Sequence, residues 1–94
     1  MTNQMYSVYD EITETYNLPF TAHNDNDAMR MFHNAALSPQ TSLNASPQDY
    51  TLYHVSTYNQ DNAETINTQP PKLIIKLTSL INQNKNNNAT EDKQ

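Results

Sequence analysis

Ninety-four residues carrying ten acidic and five basic side chains, with a net charge of −5 and neither cysteine nor glycine, make one small domain. Without cysteine there is no disulfide and no thiolate metal site. Without glycine there is no P-loop, dinucleotide loop or nucleophile elbow. Turns that need a positive φ are therefore expected to use Asn or Asp. The acidity also argues against strong, salt-dependent DNA binding by a lone protomer, which draws on clustered Lys and Arg. No apolar run approaches the ~20 residues that span a bilayer, and Met1–Met5 has neither the positive region nor the apolar core of a signal peptide.

Residues 5–10, with Tyr6, Val8 and Tyr9, read as a first strand. Residues 11–19 form a loop closing at Leu18-Pro19, where proline biases Leu18 away from helix. Phe20-Thr21-Ala22 is a short extended piece. A helix follows. Asn24 or Asp25 supplies the N-cap, Asp27 stands where a capping-box acid would, and both acids suit a positive helix N-terminus. Ala28, Phe32, Ala35 and Ala36 fall on one apolar face, which Met31 and Leu37 widen. Ser38-Pro39 ends the helix, and residues 38–48 form a polar loop. Asp49 to Tyr58 is a second strand rich in Tyr, Thr and Val, and Asn59–Asn62 is a glycine-free turn. Residues 63–69 are weakly extended. Pro70-Pro71 precedes a third strand, Lys72–Leu77, and Thr78–Ile81 continues it either as strand or as a short helix. Nothing large and apolar follows Ile81, so residues 82–94 read as a disordered polar tail on a domain spanning 1–81.

The order strand, helix, strand, strand predicts an α+β fold in which one helix packs on a small mixed sheet, its first two strands parallel. One helix covers only one sheet face, yet Leu73, Ile74, Ile75 and Leu77 cannot all point the same way. A homodimer is the expected cover for the remaining face. Leu18, Phe20 and their loop, folded over that face, are the alternative.

Chemistry-bearing residues are few. His23, His33 and His54 lack the i, i+4 spacing of a helical metal motif, and no metal or other cofactor is expected. Asp10, Glu11 and Glu14 cluster as a solvated loop rather than as an acid–base pair in a cleft, so no catalytic residue and no enzyme is expected. The tyrosines stand out. Tyr6, Tyr9, Tyr50, Tyr53 and Tyr58 lie on or beside the two best strands, and aromatics on a sheet face stack on nucleotide bases. A sheet also half-buries aromatics for its own packing. Tyr6, Tyr9 and Tyr53 are candidate nucleic-acid contacts, with Lys72 and Lys76 adding modest phosphate contacts or guarding solubility. Arg30 either meets a phosphate or partner, or pairs with Asp27 at i, i+3.

The run Tyr6-Ser7-Val8-Tyr9-Asp10, Pro19-Phe20-Thr21-Ala22, Asn24-Asp25 and Ala28-Met29-Arg30-Met31-Phe32, with the later block Asp49-Tyr50-Thr51-Leu52-Tyr53-His54-Val55, resembles the small nonstructural protein of gokushoviruses, Microviridae with single-stranded DNA genomes. The resemblance covers about residues 5–80. Arg30 matches the arginine of the family's helix motif. Relatives commonly carry Thr-Gly in the turn after the second strand, where this chain has Asp61-Asn62-Ala63-Glu64-Thr65. The resemblance implies a nonstructural phage protein in the infected bacterium's cytoplasm, a DNA-binding factor in the switch to single-stranded genome synthesis. A module that binds a phage or host replication or assembly protein, without touching DNA, is the other expectation.

Overall fold

The computed structural model describes the backbone of residues 1–92 and the side chains of residues 1–84. Five strands and three α-helices follow in the order β1 (Thr2–Asp10), β2 (Thr15–Tyr16), β3 (Phe20–Ala22), α1 (Asp25–Leu37), α2 (Ser42–Ala45), β4 (Tyr50–Asn59), β5 (Thr65–Lys76) and α3 (Leu77–Asp92). The α+β class is as expected. The sheet is antiparallel throughout rather than mixed, and three helices replace the one foreseen.

The reason lies in residues 11–22. Instead of a plain loop, they form a broken return strand. β2 pairs with the end of β1, with Tyr9 opposite Tyr16, and β3 pairs with its beginning, with Tyr6 opposite Phe20. The chain has thus already reversed before α1 begins, and β4 enters antiparallel to β1. The parallel relation survives between β3 and β4, which flank β1 on either side. Thr65–Lys76 is one strand rather than two pieces. It accommodates Pro70 and Pro71 because the ladder to β4 breaks there, jumping from His54–Lys72 to Ser56–Asn67. Proline cannot donate to a ladder and is tolerated at such interruptions. Thr78–Ile81 is helical. Of the polar tail expected over 82–94, the backbone is helical to Asp92; the side chains from residue 85 on, and residues 93 and 94 altogether, lie outside the described residues.

Helix α1 starts as its sequence dictates. The Asn24 side chain accepts from the Asp27 N–H at 2.9 Å. Its C-terminal carbonyls, which a glycine cap would commonly serve, are met by side chains instead. Thr41 Oγ1 donates to Ala35 O at 3.0 Å, and Asn44 Nδ2 to Ala36 O at 2.9 Å. Ala28, Phe32 and Ala36 are buried, whereas Ala35, Met31 and Leu37 are exposed. Met29, on the opposite flank of the stripe from Met31, packs against the core, to which Leu77 and Leu80 of α3 also belong. The core gathers these helical residues on Tyr6, Val8, Tyr50, Leu52 and Ile75, which all project from one sheet face by register.

The two hairpin turns share one construction. Glu14 N donates to Asp10 O and Ala63 N to Asn59 O, both at 2.8 Å. The Asx side chain opening each turn accepts from the N–H two residues on, at 2.9 Å in both. The positive φ falls on Glu14 (57°) and Ala63 (63°), not on Asn or Asp as expected. The amide or carboxylate is needed at the turn's first position, where it closes the Asx hydrogen bond, so the left-handed position goes to another residue at a conformational cost.

Two outcomes follow. Phe32→Ala should cost about 3–5 kcal/mol, enough to unfold so small a domain, seen as loss of the cooperative transition in thermal circular dichroism. Ala63→Gly should stabilise by about 0.5–1 kcal/mol, the relief of the left-handed strain less the added freedom of the unfolded chain. Its urea midpoint should rise with an unchanged slope.

Candidate functional site: a tyrosine face on the open side of the sheet

Side chains alternate along a strand, so register decides what the helix-free face carries. One row runs across the sheet as Tyr16, Tyr9, Thr51 and Lys76, from β2 through β1 and β4 to β5. The next row holds Ser7, Tyr53 and Leu73. Ser7 and Thr51 are small and buried, which leaves the three phenol rings to meet above them. The ring centroids are 4.8 Å apart for Tyr9–Tyr16, 5.5 Å for Tyr16–Tyr53 and 6.2 Å for Tyr9–Tyr53. The pairings are tilted or edge-on, the geometry the ring quadrupole prefers. Ser7 Oγ donates to Asn17 O at 2.6 Å, and Asn17 N to Val8 O at 2.9 Å. These bonds hold the return strand, and with it Tyr16, against β1.

Tyr16 and Leu73 are about half exposed, at 47% and 49%, and Leu18 is 91% exposed. The loop around Leu18 therefore does not fold over this face, and Phe20 lies on the opposite one beside Tyr6, with ring centroids 5.9 Å apart. The electrostatics are lopsided. Glu11 and Glu14 belong to the β1–β2 turn, just beyond the Asp10–Thr15 pair, where Glu11 N also donates to Asp49 O at 2.9 Å, and Lys76 stands on β5 at the other side of the row. Desolvation raises the Tyr9 phenol above its ordinary value, and then Glu14 does, followed by Tyr16, Glu11 and Tyr53. The face is an aromatic platform beside an acidic turn, with a single cation, Lys76, among the described residues.

The six residues expected to contact nucleic acid divide. Tyr9, Tyr53 and Lys76 are on this platform. Tyr6 is not: it is fully buried in the core, its hydroxyl donating to Asp25 Oδ1 at 2.7 Å. Burial first, and the bond to Asp25 second, push its phenol well above the ordinary tyrosine range. Arg30 sits on α1 and pairs with Asp27 at 3.0 Å. Lys72 lies across from His54 on the helix-bearing face, where it lines a polar hollow of about 590 Å³ with Gln4, His23, Asp25 and His54. Lys72 and Lys76 are four apart and would share a face in a regular strand. Ile74 is an extra residue in β5 between the Leu52–Ile75 and Tyr53–Leu73 pairs, and it sends them to opposite sides. Tyr16 was missed because residues 11–19 read as loop. The signal was present in Thr15-Tyr16, a β-branched and an aromatic residue directly after an Asx-led turn.

His54 has both ring nitrogens engaged, Nε2 with Gln4 Oε1 at 2.7 Å and Nδ1 with the Thr68 hydroxyl at 2.8 Å. It knits β1, β4 and β5 together and is committed to the fold. Among the described residues, no three His, Cys, Asp or Glu side chains converge as a metal site.

A family model described as "Phage ORF5 protein" matches residues 3–80. The chain belongs to this phage protein family. The matched span takes in β1 from its second residue, the other four strands, α1, α2 and the first turn of α3. No curated protein and no solved structure matches the chain. Among the described residues, no helix is long and apolar enough to cross a membrane.

Tyr6→Phe should cost about 1–2 kcal/mol by removing the bond to Asp25. A double-mutant cycle with Asp25→Ala, read by urea denaturation, should show most of that cost as coupling between the two residues.

Proposed function

We propose that this phage protein is a non-enzymatic accessory factor that binds single-stranded DNA on its tyrosine face, in the cytoplasm of the infected bacterium, during synthesis of a single-stranded viral genome. The observation that carries this reading is the meeting of Tyr9, Tyr16 and Tyr53 on the helix-free face, with Lys76 in the same row. Each base stacked on such a ring contributes ~1–3 kcal/mol. Stacking needs bases that are already unpaired, so a duplex offers this face little. The gokushovirus resemblance of the residues supports the same role and the same host compartment.

The acidic balance sets the character of the interaction. Lys76 neutralises about one phosphate, so affinity comes from stacking rather than counterion release. Fluorescence anisotropy with a labelled single-stranded oligonucleotide at two salt concentrations tests this. Saturable binding is expected, with a log–log salt slope no steeper than about −1. Tyr16→Ala, at a half-exposed position, should weaken it by roughly 5- to 150-fold, the loss of one stacked base. Absence of binding at both salt concentrations would overturn the reading.

A second reading, a module docking on a basic phage or host replication or assembly protein, is favoured by Glu11 and Glu14 at the end of the platform. Tyrosines are frequent anchors of protein interfaces. In that case the oligonucleotide stays free, and mutating Glu11 and Glu14 abolishes capture of the partner.

A further inference from the structure

We propose that, in the absence of nucleic acid, a second copy of this chain covers the tyrosine face in a two-fold dimer, Glu11 and Glu14 of each protomer lying against Lys76 of the other. The row Tyr16, Tyr9, Thr51, Lys76 is in register across four strands, a width of about 14 Å at the usual strand spacing. Its Tyr16 and Lys76 ends are therefore far apart within one chain, with the acidic turn just beyond the Asp10–Thr15 pair on the β1–β2 side, and Lys76 has no carboxylate partner among the described residues. Two sheets packed face to face sit about 10 Å apart, within reach of a lysine and a glutamate approaching from either side.

A two-fold axis parallel to the strands, passing between β1 and β4, exchanges the two ends of the row. The acidic turn of one protomer then faces Lys76 of the other, and symmetry makes the contact twice. The same operation brings Leu73 of each protomer, on β5, over the Leu18 side of its partner. Both leucines are large exposed apolar residues on or beside this face, and neither has an explanation in the isolated chain. The charge pattern selects a second copy over an arbitrary apolar partner, because this chain's own face is complementary to itself under that rotation.

Charge-swap variants test the arrangement by light scattering at micromolar concentration, with no DNA present, so its failure leaves the DNA reading intact. The native chain should show twice its 10.8 kDa mass. Lys76→Glu alone and Glu11→Lys/Glu14→Lys alone should each be monomeric, since each sets like charges against each other across the axis. All three positions are exposed, so the variants should fold as the native chain does. Mixed in equal amounts, the two variants should form a 1:1 dimer, because every contact across the axis is then again between opposite charges. A native mass near 10.8 kDa, or variants that dimerise alone as well as the native chain does, would overturn the proposal.

Discussion

The side chain of Tyr6 joins the layers of this fold. It rises from the central strand β1 into a position with no solvent exposure, beside Phe20 of β3 and edge-on to His54 of β4 at 5.3 Å. Its hydroxyl then reaches the first turn of α1 at Asp25. A buried phenol needs a partner, and here the partner is the carboxylate of Asp25, the first residue of α1. That one bond sets where α1 begins relative to the sheet, and Phe32 and Ala36 follow along the same face. With α3 entering from β5 beside α1, all the described apolar cover is spent on one side.

The other side is bare for the same reason, and the chain populates it accordingly. Small buried residues, Ser7 and Thr51, lie between rings rather than under a helix. Three tyrosines seal the middle of the sheet with their own edges while keeping hydroxyls and ring area available. This is how a thin domain keeps a two-faced sheet from exposing a continuous aliphatic surface.

Charge then separates the possible occupants. A chain with twice as many acids as bases gains little from phosphate neutralisation, and the acids nearest the rings, Glu11 and Glu14, repel a polyanion at one end of the row. On the proposed reading, stacking rather than phosphate neutralisation supplies the affinity for DNA, while the acidic turn and Lys76 suit a second copy. Both occupants use the same few residues, so DNA binding and self-association would compete.

Local signals in the sequence determined α1 and its cap, because Asn24 and the Ala28–Phe32–Ala36 spacing act within a few residues of each other. Aromatic and β-branched density likewise marked β1 and β4. The period of two also implies that Tyr6 and Tyr9, three apart, face opposite ways. Which of them faced the core was not legible, since that depends on the side to which the helices return. The direction of β4 hinged on residues 11–22 pairing back onto β1, a contact whose hydrogen bonds form only when the two segments are side by side. Lys72 and Lys76 parted company over one extra residue, Ile74, whose bulge exists only in register with β4. The site itself, three rings from three strands, is a product of that register. Composition and spacing supplied the tyrosines, and only the tertiary pairing decided which of them meet, because a sheet brings together residues that are distant along the chain.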